Sequence, residues 1–266
     1  MRYFFHIAYQ GQYFSGWQKQ PGVKSVQEVI EQTLSKILKS PTAINGCGRT
    51  DAHVHASQFF FHADIEKEID FDLLYILNKA LPYNIAVFDI IKMEGKPHAR
   101  FDAVQRKYDY FIHTYKDPFL STQSSFYQLN NLDFDKMKAV VKLLPQYKDY
   151  RAFCTHPDKY EHTICNVMEA DLFADPKGDR LRFHIASNRF LGKMIRIIMG
   201  KILMVGKGEL SFDEFESELI TLQSSKLSLP AHPTGLYLSK VTYPYLNLEP
   251  RTEFIHNTQG VEWISI

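Results

Sequence analysis

One stretch, NVMEADLFADPKGDRLRFHIAS (166–187), restricts the fold more than any other. It reads as two strands folded back on a turn at Asp175-Pro176-Lys177-Gly178. An antiparallel hairpin interrupts the alternation of strands and helices, and the chain lacks the eight βα units of a closed parallel barrel. Around the hairpin, strand-like and helix-like segments alternate irregularly. RYFFHIAYQ reads as a strand ended by Gly11, and GQYFSGWQKQPG as a glycine-bearing loop. SVQEVIEQTLSKILKS is the best-marked helix: Ser25 and Glu28 predict a capping box, Val26, Ile30, Leu34 and Ile37 make an apolar stripe, and Pro41 stops it. The strand ASQFFFHADI, the helix FDLLYILNKALP and the strand IAVFDIIKM follow.

A break comes near Gly95-Lys96-Pro97. Beyond it, RKYDYFIHTY reads as an aromatic strand, DFDKMKAVVKLLP as a helix, and the hairpin comes next. RFLGKMIRIIMGKILMVGKG reads as a helix that carries basic residues, SFDEFESELITLQ as a helix capped by Ser211 and Glu214, and TGLYLSKVTYP as a last strand. The expectation is an α+β chain with mixed, largely antiparallel sheets, in two halves, 1–100 and 101–266.

The 266 residues carry a formal net charge of only +1, so a nucleic-acid role needs charge gathered locally. The three cysteines, Cys47, Cys154 and Cys165, show no paired spacing, which suits a reducing cytoplasm. The apolar start of the chain is too brief for a secretory leader, and no stretch reaches membrane-spanning length, so no membrane is expected.

Four constellations bear on chemistry. In NGCGRTDAHVHASQFFFH, Asp51, His53 and His55 stand two apart, a spacing that shares one face of an extended strand. Carboxylate and imidazole could ligate a metal, as in a metal-dependent hydrolase. Against that, the polar cluster precedes its strand rather than following one, and a lone His-x-His is most often an ordinary surface or hydrogen-bonded pair. Arg49 with Asp51 is commonly a structural ion pair. The sharper reading is a carboxylate held ionised by arginine and acting as nucleophile or base. From Asn188 to Lys207 the chain has Arg189, Lys193, Arg196, Lys201 and Lys207 and no acid. A solvated face is the bland reading; phosphate contacts, or a partner for Asp51, is the functional one. Last, Tyr108 and Tyr110 share a strand face beside Arg106 and Lys107. That suits stacking on unpaired RNA bases, though core aromatics are the commoner explanation.

Together these segments resemble the tRNA pseudouridine synthase A family. GRTDAHVHA is similar to that family's Gly-Arg-Thr-Asp-Ala-Gly-Val-His-Ala motif. FSGWQKQ with SVQEVIE, HARFDA with RKYDY, NRFLGKMIRIIMG and AHPTGLYL resemble its other motifs, in the family's order. The resemblance implies the pseudouridine synthase fold, with two halves flanking a central RNA-binding cleft. It implies isomerisation of uridine to pseudouridine in the tRNA anticodon stem-loop at positions 38, 39 and 40, with no metal and no cofactor. It places Asp51 at the nucleophile, Arg196 at the arginine that pairs with it, Tyr108 at the stacking tyrosine and Leu236 at the apolar residue beneath the base. Arg49, flanking the nucleophile, suits the space left by a flipped base, and Arg189 and Lys193 suit tRNA contacts. A homodimer is implied as well. Two positions depart from the family: His53 stands where glycine is usual, and Cys165 stands where a basic residue is usual. A metal-dependent hydrolase using Asp51, His53 and His55, and a non-catalytic RNA-binding paralogue, are the rival readings.

Overall fold

A computed structural model of the chain describes residues 1–66, 68–129, 131–224, 229–251 and 263–266. In chain order the elements are β1 (Arg2–Tyr9), α1 (Val26–Leu38), β2 (Ile44–Gly46), β3 (His55–Asp64), α2 (Leu73–Ala80), β4 (Ile85–Met93), β5 (Gln105–His113), β6 (Ser125–Phe126), α3 (Phe134–Leu143), β7 (Val167–Ala174), β8 (Arg180–Ser187), α4 (Met194–Gly206), α5 (Phe212–Thr221), β9 (Leu236–Thr242) and β10 (Ile264–Ser265). The α+β class holds. The chain divides into two compact units, Met1–Arg106 with Tyr237–Glu253, and Lys107–Leu236 with Phe254–Ile266.

In the first unit β1 lies between β3 and β4, antiparallel to both, and β2 pairs with β3. The last strand returns here: β9 runs parallel to β3, with His55 opposite Tyr237. Every residue of β3 from His55 to Ala63 is buried, so both faces of that strand are covered. Phe59 and Phe61 meet Trp17 and Phe5, while Phe60 meets Tyr243 and His6. This double burial explains the aromatic run FFF, where a half-exposed strand would alternate with polar residues. Of the capping box expected at α1, the Ser25 half is present, with Ser25 Oγ accepting from Glu28 N at 3.2 Å.

In the second unit the hairpin is present. β7 and β8 pair antiparallel, and Asp175 N donates to the Arg180 carbonyl across a turn in which Gly178 has φ +72°. Helix α3 packs on β7, α4 and α5 pack on α3, and Ser211 and Glu214 form the full capping box of α5. The basic helix differs from expectation. It begins at Met194, not Arg189, because Lys193 takes a left-handed conformation (φ +58°) and caps it. Arg189 and Lys193 therefore precede the helix, and Arg196 and Lys201 lie on it. Lys201 is no solvated cation. It is 1% exposed, with Nζ 2.8 Å from Glu218 Oε2 and 3.0 Å from Ser224 Oγ.

Candidate active site

The segment from Cys47 to Val54 joins β2 to β3 as a loop. Only His55 of the Asp51, His53 and His55 trio is in a strand, so the three do not share a strand face. The shared face on which the rival metal reading rested is lost with it. Among the described residues, no three His, Cys, Asp or Glu side chains stand together as a metal site would require. His55 is buried, stacked on Tyr237 at 4.6 Å between ring centroids, with Nδ1 accepting from Gly11 N. His53 is exposed and its Nδ1 lies 2.8 Å from the Gln12 carbonyl oxygen. Its φ is +66°, the left-handed conformation that explains glycine as the usual residue there.

The loop is held at the level of its backbone. Thr50 O accepts from Trp17 N at 3.2 Å, and His53 N donates to Phe14 O at 3.2 Å. Thr50 Oγ1 is 2.9 Å from the Tyr9 hydroxyl. Cys47 O accepts from Arg106 Nη2 at 2.7 Å. Two glycines of the opening loop make this approach possible. A Cβ on Gly11 would stand 1.9 Å from Val54 O, and one on Gly16 would stand 2.5 Å from Thr50 O, where φ is +87° besides. The motif FSGWQ is therefore the wall against which the Asp51 loop is cast. Asp51 itself is half-buried and Arg49 is exposed.

Cysteine does not compete for the role of nucleophile. Burial pushes the Cys47 and Cys154 thiols up to about 11 and the Cys165 thiol up to about 12. None is a thiolate at neutral pH. Cys165 is also fully buried, so that position offers no surface contact in place of the usual basic residue.

The second unit carries the remaining expected residues. Tyr108 is 8% exposed on β5, with the Phe190 ring edge-on at 5.1 Å. Leu236 is 5% exposed at the start of β9. Arg196 is bound to the final motif twice: its Nε donates to Ala231 O at 2.7 Å, and its own carbonyl accepts from Ala231 N at 2.8 Å. Arg189 reaches toward His162, with Nη1 3.3 Å from Nε2, and Lys193 is exposed.

Residues to which the sequence reading gave other roles are structural instead. Tyr110, taken as a possible stacking ring, is fully buried instead. Its hydroxyl donates to His232 O at 2.7 Å and lies 2.9 Å from Ser125 Oγ, which accepts from Gly235 N. Burial holds its phenol well above the usual range, so it stays a donor. Its period-two spacing from Tyr108 predicts the shared face but not which tyrosine is the brace. Arg106 and Lys107, read as flanking cations, are committed to Cys47 O and to Glu169 respectively.

Comparison with known proteins identifies the family. A family model described as tRNA pseudouridine synthase matches residues 147–244. The chain is 36% identical over 248 residues to the tRNA pseudouridine synthase A of Porphyromonas gingivalis, covering 91% of this chain and 97% of that one. It is 39% identical over 249 residues to the enzyme of the same name from Parabacteroides distasonis, and 38% over 245 residues to that of Bacteroides fragilis, covering 91% of this chain and 96% of each relative. With that identity across nearly its whole length, the chain belongs to the tRNA pseudouridine synthase A family.

Proposed function

We propose that this protein isomerises uridine to pseudouridine in the anticodon stem-loop of tRNA, at positions 38, 39 and 40, with Asp51 as the catalytic carboxylate. The observation that carries the reading is the Asp51 loop. Its backbone is fixed on both sides by Thr50–Trp17 and His53–Phe14 hydrogen bonds, while the Asp51 side chain stays half-buried. Holding the backbone on both sides of a reacting group fixes where that group stands, which catalysis requires.

In the reaction the bond from C1′ to N1 breaks and a bond from C1′ to C5 forms. The C5 proton leaves and N1 gains one, so atoms balance without an oxidant or cofactor. Asp51 attacks the ribose or the base, or removes a ribose proton, and each route needs the ionised carboxylate. Arg196 is the proposed cation that keeps it so. A uridine stacked in a stem is out of reach, so the base is flipped out at roughly a few kcal/mol. Arg49, exposed beside Asp51, is proposed to fill the vacated space. Tyr108 and Leu236 are proposed to hold the flipped base between ring and aliphatic side chain, and Arg189 and Lys193 to meet phosphates.

The proposed setting is the cytoplasm, supported by three cysteines without disulfides. Among the described residues no helix is long and apolar enough to cross a membrane. The dimeric state is proposed from the family resemblance. A single-turnover assay on unmodified tRNA, read position by position, tests the reading. Pseudouridine at 38, 39 or 40 supports it, and its absence from all three overturns it.

A further inference from the structure

Two exposed tyrosines stand beside the Asp51 loop without a role in the scheme above. Tyr13 belongs to the short turn Gly11–Tyr13 and is 51% exposed. Tyr83 occupies the corner of the turn Pro82–Ile85, closed by Ile85 N donating to Pro82 O, and is 85% exposed. Their rings meet edge to face, with centroids 6.5 Å apart and planes at 68°. The neighbouring Tyr13 side chain raises the Tyr83 phenol above its usual value.

Neither ring is placed by chance. Gln10 N donates to Asn84 O at 3.0 Å, which fastens the two turns together. The Tyr13 turn is tied in its other direction to the Asp51 loop: His53 Nδ1 sits on Gln12 O, and His53 N donates to Phe14 O. Lys24 adds a cation, its Nζ 5.4 Å from the centroid of Phe14. The result is an aromatic pair whose Tyr13 turn is tied through His53 to the loop of the proposed nucleophile.

Water-exposed rings whose backbones are fixed offer an apolar face with a polar tip that a flat partner can cover. Paired bases hide their π faces within the stack, whereas unpaired bases present them. Tyrosine loses few torsions on contact, and stacking on any base is favourable whatever its identity. The Tyr13 turn adjoins the Asp51 loop through His53, so an RNA loop delivering its uridine to Asp51 comes near it.

We infer that Tyr13 and Tyr83 form a stacking platform for an unpaired nucleotide of the same RNA loop that carries the reacting uridine. The platform rests on the proposed tRNA reaction. It adds a positioning element that lies in the first unit, apart from Tyr108 and the basic residues of the second.

The test compares wild type, Tyr83→Ala and Tyr83→Phe for binding of an anticodon stem-loop RNA, and of the same RNA with its unpaired loop bases removed as abasic sites. Tyr83→Ala is expected to weaken binding of the intact loop by about five- to a hundredfold, the range for loss of one base–aromatic stack. Tyr83→Phe, which keeps the ring, should bind within about twofold of wild type. On the abasic RNA all three proteins should bind alike. Equal affinity of wild type and Tyr83→Ala for the intact loop would overturn the platform. So would a change in sedimentation of Tyr83→Ala without a change in RNA binding, which would mark the pair as a protein contact. Pseudouridine formation by wild type on the same RNA is measured alongside, so failure of the reaction and failure of the platform are told apart.

Discussion

Arg196 and Ala231 hold each other at two points, side chain to carbonyl at 2.7 Å and backbone amide to carbonyl at 2.8 Å. The first turn of α4 is thereby fixed to the final motif, and Nε of the guanidinium has a set direction. Lysine cannot reproduce this, since it has no second nitrogen to leave at Ala231 while its tip points elsewhere. Arg196→Lys is expected to lower the single-turnover rate at saturating enzyme by about ten- to a hundredfold, the equivalent of one or two charge-assisted hydrogen bonds. Affinity for tRNA should fall only slightly, because an ammonium still meets a phosphate. A wild-type rate with weakened affinity would make Arg196 a phosphate clamp.

Gly16→Ala should damage the reaction more than it damages the fold. The added Cβ meets Thr50 O at 2.5 Å, and φ of +87° disfavours any side chain. The strain costs on the order of 1–2 kcal/mol and is relieved by shifting the Asp51 loop. Thermal unfolding and single-turnover kinetics on one preparation separate the two effects. Wild-type turnover in this variant would show that the clamp on the loop is dispensable.

Lys201→Ala should act on stability rather than on RNA. Sequence alone makes Lys201 a phosphate contact on a basic helix. Buried against Glu218, it instead neutralises a carboxylate that is itself fully enclosed. Removing one partner of such a pair typically costs about 3–5 kcal/mol. Chemical denaturation should show that loss, while the salt dependence of tRNA binding by the folded protein stays as in wild type.

Stability should decline on acidification through a histidine. Burial pushes His62 down to about 4, with the Arg2 charge adding to the effect. The folded state therefore keeps it neutral, accepting from Ala99 N at 3.2 Å. Between pH 6.5 and pH 4 the unfolded chain takes up a proton that the folded chain refuses, so stability falls as pH drops through that window, by up to about 1.4 kcal/mol per unit. Burial lowers His6, His98 and His113 in the same direction. Denaturation midpoints at pH 7.5 and 5.5 measure the effect, and His62→Gln should flatten it.

Much of this fold was legible because local signals coincided with tertiary ones. The hairpin around Asp175–Gly178, the caps at Ser25 and Ser211 and the strand carrying FFF all follow from residue pattern and turn chemistry. The departures have physical causes. Helix pattern alone could not reveal that Lys193 turns left-handed, which cuts Arg189 off from α4. Nor could charge counting tell a solvated lysine from Lys201, whose partner Glu218 lies on another helix. Asp51 was legible through the company of Gly48, Arg49 and Thr50. Its support was not, because the contacts of Gly16 with Thr50 and of Tyr9 with Thr50 join residues far apart in sequence. Tyr83 gave no signal, since an exposed ring at a turn is visible only once the turn is built.

The most direct measurement is pseudouridine formation by Asp51→Asn, read at each anticodon-arm position alongside tRNA affinity. The amide keeps the shape of the side chain and its loop but removes the charge. The expected result is tRNA binding close to wild type with no pseudouridine at positions 38, 39 and 40. Turnover by Asp51→Asn at an appreciable fraction of the wild-type rate would contradict the assignment of Asp51 as the catalytic carboxylate.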